Sequence, residues 1–291
     1  MGEQAEREPQ PVADRRAMRS HLNRPLVIGL SILMLAVVVA AVVPQVWPFG
    51  PTDIVPDDAL TPPSLQHWFG ADDLGRDVFV RVAAGFRISL LVAVGSIVLA
   101  TVLGVPLGLL AGYAGRIVDG LIMRPLDVLM GFPAMLLAIV VTAILGTGAG
   151  PVTLAIGIVY TPVLARVMRA STMVVRRDLY VEAARARGAS HLRTVARHVL
   201  PNSIGPVIVQ ASILMGFAIL LEAAMSFIGL GVQPPTPSLG LMLTDGRDFL
   251  GQAPWMMLAP GAAIMLLVLS FNLVGEGLQV WLDPTGRAKV R

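Results

Sequence analysis

The sequence predicts an all-α, polytopic membrane helix bundle with six transmembrane helices. Of its 291 residues, 55% are hydrophobic and only 14% are charged, and the mean hydropathy is +0.74. Several apolar runs exceed the roughly 18 residues that mark a membrane helix rather than a buried soluble one. Lys and Arg cluster in alternate connecting segments, as they do in chains that cross a bilayer repeatedly. The chain has no cysteine, which excludes disulfides, thiolate metal sites and cysteine nucleophiles.

Residues 1–24 are polar, with Glu3, Glu6, Glu8, Pro9 and Pro11, and read as a cytoplasmic tail without regular structure. The run "LVIGLSILMLAVVVAAVV" follows. It is too long for a secretory signal core of roughly 7–15 residues, so 25–47 reads as the first transmembrane helix. Residues 48–87 read as an extracytoplasmic segment. It is acidic through Asp53, Asp57, Asp58, Asp72, Asp73 and Asp77, and mostly irregular because proline and glycine recur. Its end, "DVFVRVAAGF", admits two readings: a helix along the membrane interface, or a plain loop entering the next span.

Residues 88–286 read as a core domain with five further spans, near 88–111, 120–145, 152–168, 207–228 and 256–278. Pro106, Pro125, Pro133 and Pro162 fall in or beside them, which membranes tolerate where neighbours satisfy the freed carbonyls. Gly95, Gly104 and Gly108 are expected to let helices approach closely. Arg124 and Asp127, one turn apart, are expected to pair. With six spans, both termini and the segments 112–124 and 166–203 share one side. That side holds 18 of the 22 Lys and Arg residues, which makes it cytoplasmic.

The most informative stretch is 176–202, "RRDLYVEAARARGASHLRTVARHVLPN". Asp178 is placed to cap a short helix whose first turn holds Glu182 and whose last holds Arg185 and Arg187, in accord with the helix dipole. Gly188 is a natural stop. Ser190 is placed to cap a second helix ended by Pro201. Its apolar positions Leu192, Val195, Ala196, Val199 and Leu200 share one face, with Arg193, Arg197 and His198 turned away. In the first helix, Ala183, Ala184, Ala186 and Ala189 leave the surface nearly bare. Another protein's backbone can come close there, with Glu182 and the arginines supplying charge-assisted contacts around it.

This stretch resembles the EAA loop of membrane permeases in binding-protein-dependent, ATP-driven importers. The matching residues are Glu182, Ala183, Ala184, Gly188, Leu200 and Pro201. "FGADDLGRDVFVRVAAGFRISL", "LIMRPLDVLMGFPAMLLA", "EAAMSFIGLGVQPPTPSLG" and "FNLVGEGLQVWLDP" are similar to the C-type permease subunit of oligopeptide and dipeptide ABC importers. Leu239, Glu276 and Tyr160 depart from the residues usual in that pattern. The resemblance implies the fold of a type I ABC importer permease forming half of a translocation pore. It implies that Tyr180, Glu182, Ala183, Ala184, Arg185, Arg187 and Gly188 couple this chain to an ATPase. The implied partners are a B-type permease subunit, two ATPase subunits, an extracytoplasmic peptide-binding protein, membrane lipid and a peptide substrate, with no nucleic acid. It places no cofactor on this chain, and ATP with Mg on the ATPases.

The residues agree with that division. Lys289 is the only lysine and stands third from the end, so the chain cannot form a phosphate-binding loop with its lysine. His21, His67, His191 and His198 lie outside the spans and read as interface polarity rather than metal ligands. Within the spans, Glu222 is the clearest ionisable group. It is either a carboxylate facing the path or a structural acceptor for a neighbouring helix, since buried charges in membranes serve one or the other. Gln210, Ser212 and Met215 share its span; Gln210, Met215 and Glu222 are the translocation-path candidates. Two other functions stay open on the sequence: the same architecture importing nickel or another small solute, and a stand-alone secondary transporter. The second would show internal repeats or midplane ionisable relays, and neither is evident.

Overall fold

A computed structural model describes residues 24–282. The expected tail before Arg24 and the basic C-terminal residues lie outside the described residues. Five helices are each long and apolar enough to cross a membrane. They are α1 (Arg24–Val46), α2 (Val78–Ala114), α5 (Ala149–Val175), α9 (Gly205–Phe227) and α11 (Trp255–Leu282). The remaining helices are shorter, and among the described residues there is no strand, only an isolated bridge between Ala71 and Asp77.

The sixth expected span, 120–145, is not a straight helix. It is a pair, α3 (Arg116–Met130) and α4 (Ala134–Leu145), bent by 95°. The break falls at Gly131–Phe132–Pro133, where proline cannot donate to the preceding turn and disfavours helix in the residue before it. The 12 residues of α4 reach only about 18 Å. That is little more than half a hydrocarbon core of roughly 30 Å. The chain thus crosses either five times or six, the latter if the bent pair counts as one crossing.

The stretch "DVFVRVAAGF" is neither a separate interfacial helix nor a loop. It forms the first turns of α2, which runs unbroken for 37 residues. Asp77 starts it, accepting from the Val80 amide at 2.9 Å, and Val78, Val80 and Arg81 are buried at once. A helix about 55 Å long overshoots the hydrocarbon, so part of it stands in a polar layer.

The core is the seam between α2 and α5. A Cβ on Gly104 would lie 2.8 Å from the Thr161 carbonyl oxygen, and one on Gly112 would lie 2.7 Å from the Thr172 Cβ. Gly108 is pressed as tightly on the Ala165 carbonyl. Close backbone approach lets dispersion and shape hold helices that gain nothing from water exclusion inside lipid. Gly95 is looser, with only the Thr153 methyl at 3.0 Å. α9 fills the third side with Leu214, Ala218, Ile219 and Met225. α1 packs on α11 through Gly29, whose Cβ would meet the Ser270 carbonyl oxygen at 2.7 Å. The helix α10 (Leu239–Arg247) closes the end of the bundle where α2 begins, with Leu239 wholly buried against Gly85.

At the basic end, the expected Arg124–Asp127 pair is replaced by one across helices. Arg166 Nη2 donates to Asp127 at 2.5 Å. Arg169 likewise grips Asp119, with Nη2 at 2.6 Å. Both pairs pin α3 along the end of α5, so α3 lies where the arginines are. A partner on another helix wins over the local one because α3 rests its charged face directly on α5.

Candidate functional site

The basic stretch after α5 is built as α6 (Leu179–Ala186), α7 (His191–Thr194), a π turn (Val195–Val199) and α8 (Leu200–Ser203). Gly188 has φ +82° and open space around it, so its backbone conformation alone calls for glycine. Its amide bonds the Arg185 carbonyl at 2.9 Å and the Ala189 amide bonds the Ala184 carbonyl at 3.2 Å. These two bonds form a Schellman stop, which fixes where α6 ends. Ser190 caps α7 as expected, accepting from the Arg193 amide at 3.4 Å. Asp178 occupies the cap position of α6 but makes no side-chain cap bond there.

The two faces of this segment differ from the sequence pattern in instructive ways. Ala184 does not lie on the bare ridge. It is 3% exposed and turned inward with Val181, which is fully buried. The outward face is Leu179, Ala183 and Ala186, with Glu182, Arg185, Arg187 and Gly188 also exposed and Tyr180 partly so. Leu192, expected inward, is 80% exposed, whereas Thr194 and Val199 are buried. The π turn causes this, because five residues share a turn there and rotate the face. Pro201 does not end the helix either. It sits in the first turn of α8, where it needs no amide partner.

Three contacts fasten the segment to the bundle. Val181 and Val199 meet Val175, at the end of α5, with Leu109 and Tyr113 of α2 around them. Arg176 Nη1 donates to the Gly112 carbonyl at 2.7 Å and to that of Tyr113 at 3.3 Å. Those carbonyls end α2 and would otherwise lack partners. Tyr113 is the hub: its hydroxyl lies 3.2 Å from His191 Nδ1, and the Arg185 guanidinium stands over its ring at 5.0 Å. Nothing in its spacing marked Tyr113, which lies over sixty residues before the segment it holds.

The path candidates separate. Glu222 is fully buried and accepts from Ser89 Oγ of α2 and from Ser226 Oγ, each at 2.9 Å. It therefore joins α9 to α2. Gln210 and Met215 are half-buried on α9, and Met215 packs against the core.

A polar cluster at the opposite end was not anticipated. Arg81, 2% exposed, lies 3.4 Å from Asp72 and 3.7 Å from Asp245 of α10. Arg76 Nε donates to Asp72 at 2.6 Å. His67 Nδ1 lies 2.8 Å from Asp77, which also accepts from Trp47 Nε1 at 3.3 Å. Burial pushes the Asp245 carboxyl up from its ordinary range, against the pull of Arg81 and Arg76. Although the segment is irregular, these bonds hold it against α2 and α10. The four-residue spacing of Asp72 and Arg76 was the available signal.

The bent α3–α4 pair, the helical segment fastened at the basic end and the five apolar helices define a membrane-embedded permease subunit. Residues 104–287 match the family described as binding-protein-dependent transport system inner membrane component, and the chain belongs to it. It is 43% identical over 262 residues to the dipeptide transport system permease protein DppC of Alkalihalophilus pseudofirmus, covering 90% of this chain and 86% of that one. It is 42% identical over 268 residues to the di/tripeptide transport system permease protein DppC of Pseudomonas aeruginosa, covering 90% and 88%. With the glutathione transport system permease protein GsiD of Pectobacterium atrosepticum it shares 41% over 271 residues, covering 93% and 89%. Among solved structures, the inward-facing MetNI methionine ABC transporter aligns with TM-score 0.59 at 17% identity, over 70% of this chain and 96% of that one. That likeness concerns the fold.

Proposed function

We infer that this chain is one half of the translocation pore of an ATP-driven peptide importer. It pairs with a B-type permease subunit and receives a peptide from an extracytoplasmic binding protein. Two ATPase subunits carry the ATP and Mg, and their motion reaches the bundle through α6. The termini are cytoplasmic, following the bias of the arginines. Peptide as cargo rests on the dipeptide, di/tripeptide and glutathione permeases named above, whose similarity covers nearly the whole chain.

The observation that carries the coupling role is the exposed apolar row of Leu179, Ala183 and Ala186 on a helix fastened behind to α2 and α5. Leu179 is 82% exposed, beside small residues that admit a partner's backbone. A push on α6 is transmitted through Val181, Val199 and Arg176 to the ends of two helices. The glycine seam makes those helices move together, because sliding would drive backbone into backbone. Rigid-body rocking of this kind opens and closes a pore between two packed states.

The broken helix supports pairing with a second permease. Phe132, Met135, Leu136 and Val140 are exposed around the break. Irregular backbone at membrane depth is tolerated only against protein or a water-filled cavity, and a second subunit with the path between supplies both.

The test is reconstitution of the chain with its partners in vesicles. Peptide uptake should require ATP, and Glu182→Lys should abolish uptake while the spans stay folded. ATP-independent uptake by this chain alone would overturn the reading.

A further inference from the structure

Two hollows flank the half of α1 nearest Val46. One, of about 670 Å³, is wholly apolar and names no occupant. The other, of about 650 Å³, lies between α1 and α2 and is walled by Val37, Ala41, Leu90, Leu91 and Val94. It differs by its rim, where Gln45 and Arg87 stand together.

Depth follows from length. The 23 residues of α1 span about 34 Å, close to one hydrocarbon thickness. Gln45 belongs to its last turn, so the rim lies at the polar boundary and the walls one to three turns deeper. The same end carries Trp47, Trp68, Phe69 and Phe79, packed at ring separations of 4.6 to 5.0 Å. Such a group of aromatics belongs at headgroup level.

Arg87 is exposed there and pairs with no acidic group among the described residues. Its neighbours Arg76 and Arg81 are both held by carboxylates. A guanidinium left free above an exposed apolar groove has a fork of donors that fits a phosphate bidentately. Gln45 uses one N–H on the Ala41 carbonyl at 2.8 Å, which leaves its carbonyl oxygen and second N–H toward the rim. Leu91 is 61% exposed and Val94 43%, so the walls are open to the bilayer from the side.

We propose that this groove is a phospholipid site: one acyl chain lies along Val37, Leu91 and Val94, and Arg87 grips the phosphodiester, with anionic headgroups preferred. The occupant is the bilayer's own lipid, since the groove opens sideways at hydrocarbon depth and its one free charge is opposite in sign to a phosphate. The cargo of the importer does not enter the argument, so the site stands or falls apart from the peptide reading.

Native mass spectrometry of the solubilised assembly tests it with phosphatidylglycerol and a diacylglycerol of the same chains. One charge-assisted bond is worth on the order of tenfold in affinity. The wild type should therefore retain phosphatidylglycerol about tenfold better than diacylglycerol. Arg87→Gln should erase that preference and Arg87→Lys keep part of it, while Val94→Trp, which fills the groove, should lower retention of both. Equal phosphatidylglycerol retention by wild type and Arg87→Gln would overturn the proposal. So would full displacement of the lipid by glycerol phosphate, which would leave a headgroup site without a chain. Because the chain has no cysteine, Leu91→Cys gives a unique probe. Its cross-linking to another protein in native membranes would mean that a helix, not lipid, fills the groove.

Discussion

Arg176 donates to the carbonyl oxygen of Gly112 at 2.7 Å, joining the residue just after α5 to the last turn of α2. Gly112 is also the last glycine of the seam, packed on Thr172. The bond therefore closes the seam at the end where α6 is attached. Replacing Arg176 by Met should keep the aliphatic stem and lose the bond, weakening this junction by roughly 1.5–3 kcal/mol. Peptide uptake should fall while the ATPase subunits still co-purify. Loss of both together would mean that Arg176 serves docking and not transmission.

Gly188 makes a second separation. Its positive φ costs an L-residue roughly 1–2 kcal/mol, and nothing crowds the position. Gly188→Ala should therefore impair coupled ATPase activity about as much as Gly188→Leu does. A mild alanine variant beside a severe leucine variant would show that space, not backbone, sets the requirement.

Glu222 holds two serines on two turns of different helices. Glu222→Leu should leave Ser89 without its acceptor and lower the midpoint of thermal unfolding, at a cost of roughly 1–3 kcal/mol. Glu222→Gln keeps one acceptor oxygen and should cost less. A glutamine variant of full stability that changes peptide selectivity would place this residue on the path.

Asp245 gives a pH dependence. Its folded carboxyl titrates above the ordinary range because it is partly buried. A group raised on folding contributes stability at low pH and loses it as pH rises through the folded value. Stability of the end closed by α10 should thus rise modestly as pH falls from neutral toward the ordinary carboxylate range. Asp245→Asn should flatten that slope, read by hydrogen exchange in α10. A steeper slope in the variant would mean that pairing with Arg81 outweighs burial.

Residue pattern alone located the long apolar helices, the Gly188 stop and the Ser190 cap, because hydrophobic length and local backbone chemistry decide those features. It misplaced what long-range packing decides. Asp127 left Arg124 for Arg166, and a π turn carried Leu192 to the surface. Ala184 faced inward because it lies three residues from the buried Val181, on the same face of the helix. The 95° bend had a visible cause in Gly131 and Pro133, yet proline is common enough in membrane helices that its presence could not fix an angle. Tyr113 gained its role only from residues far along the chain, and Arg81 pairs with Asp72 nearby and with Asp245 of a distant helix.

The bare row on α6 offers the most direct test. Ala183→Cys and Ala186→Cys are unique thiols in this cysteine-free chain, and both side chains point outward. In native membranes each should cross-link to an ATPase subunit, with a yield that changes when ATP is added. Labelling of both thiols by a water-soluble maleimide in the intact assembly, with no cross-link in any nucleotide state, would contradict the account.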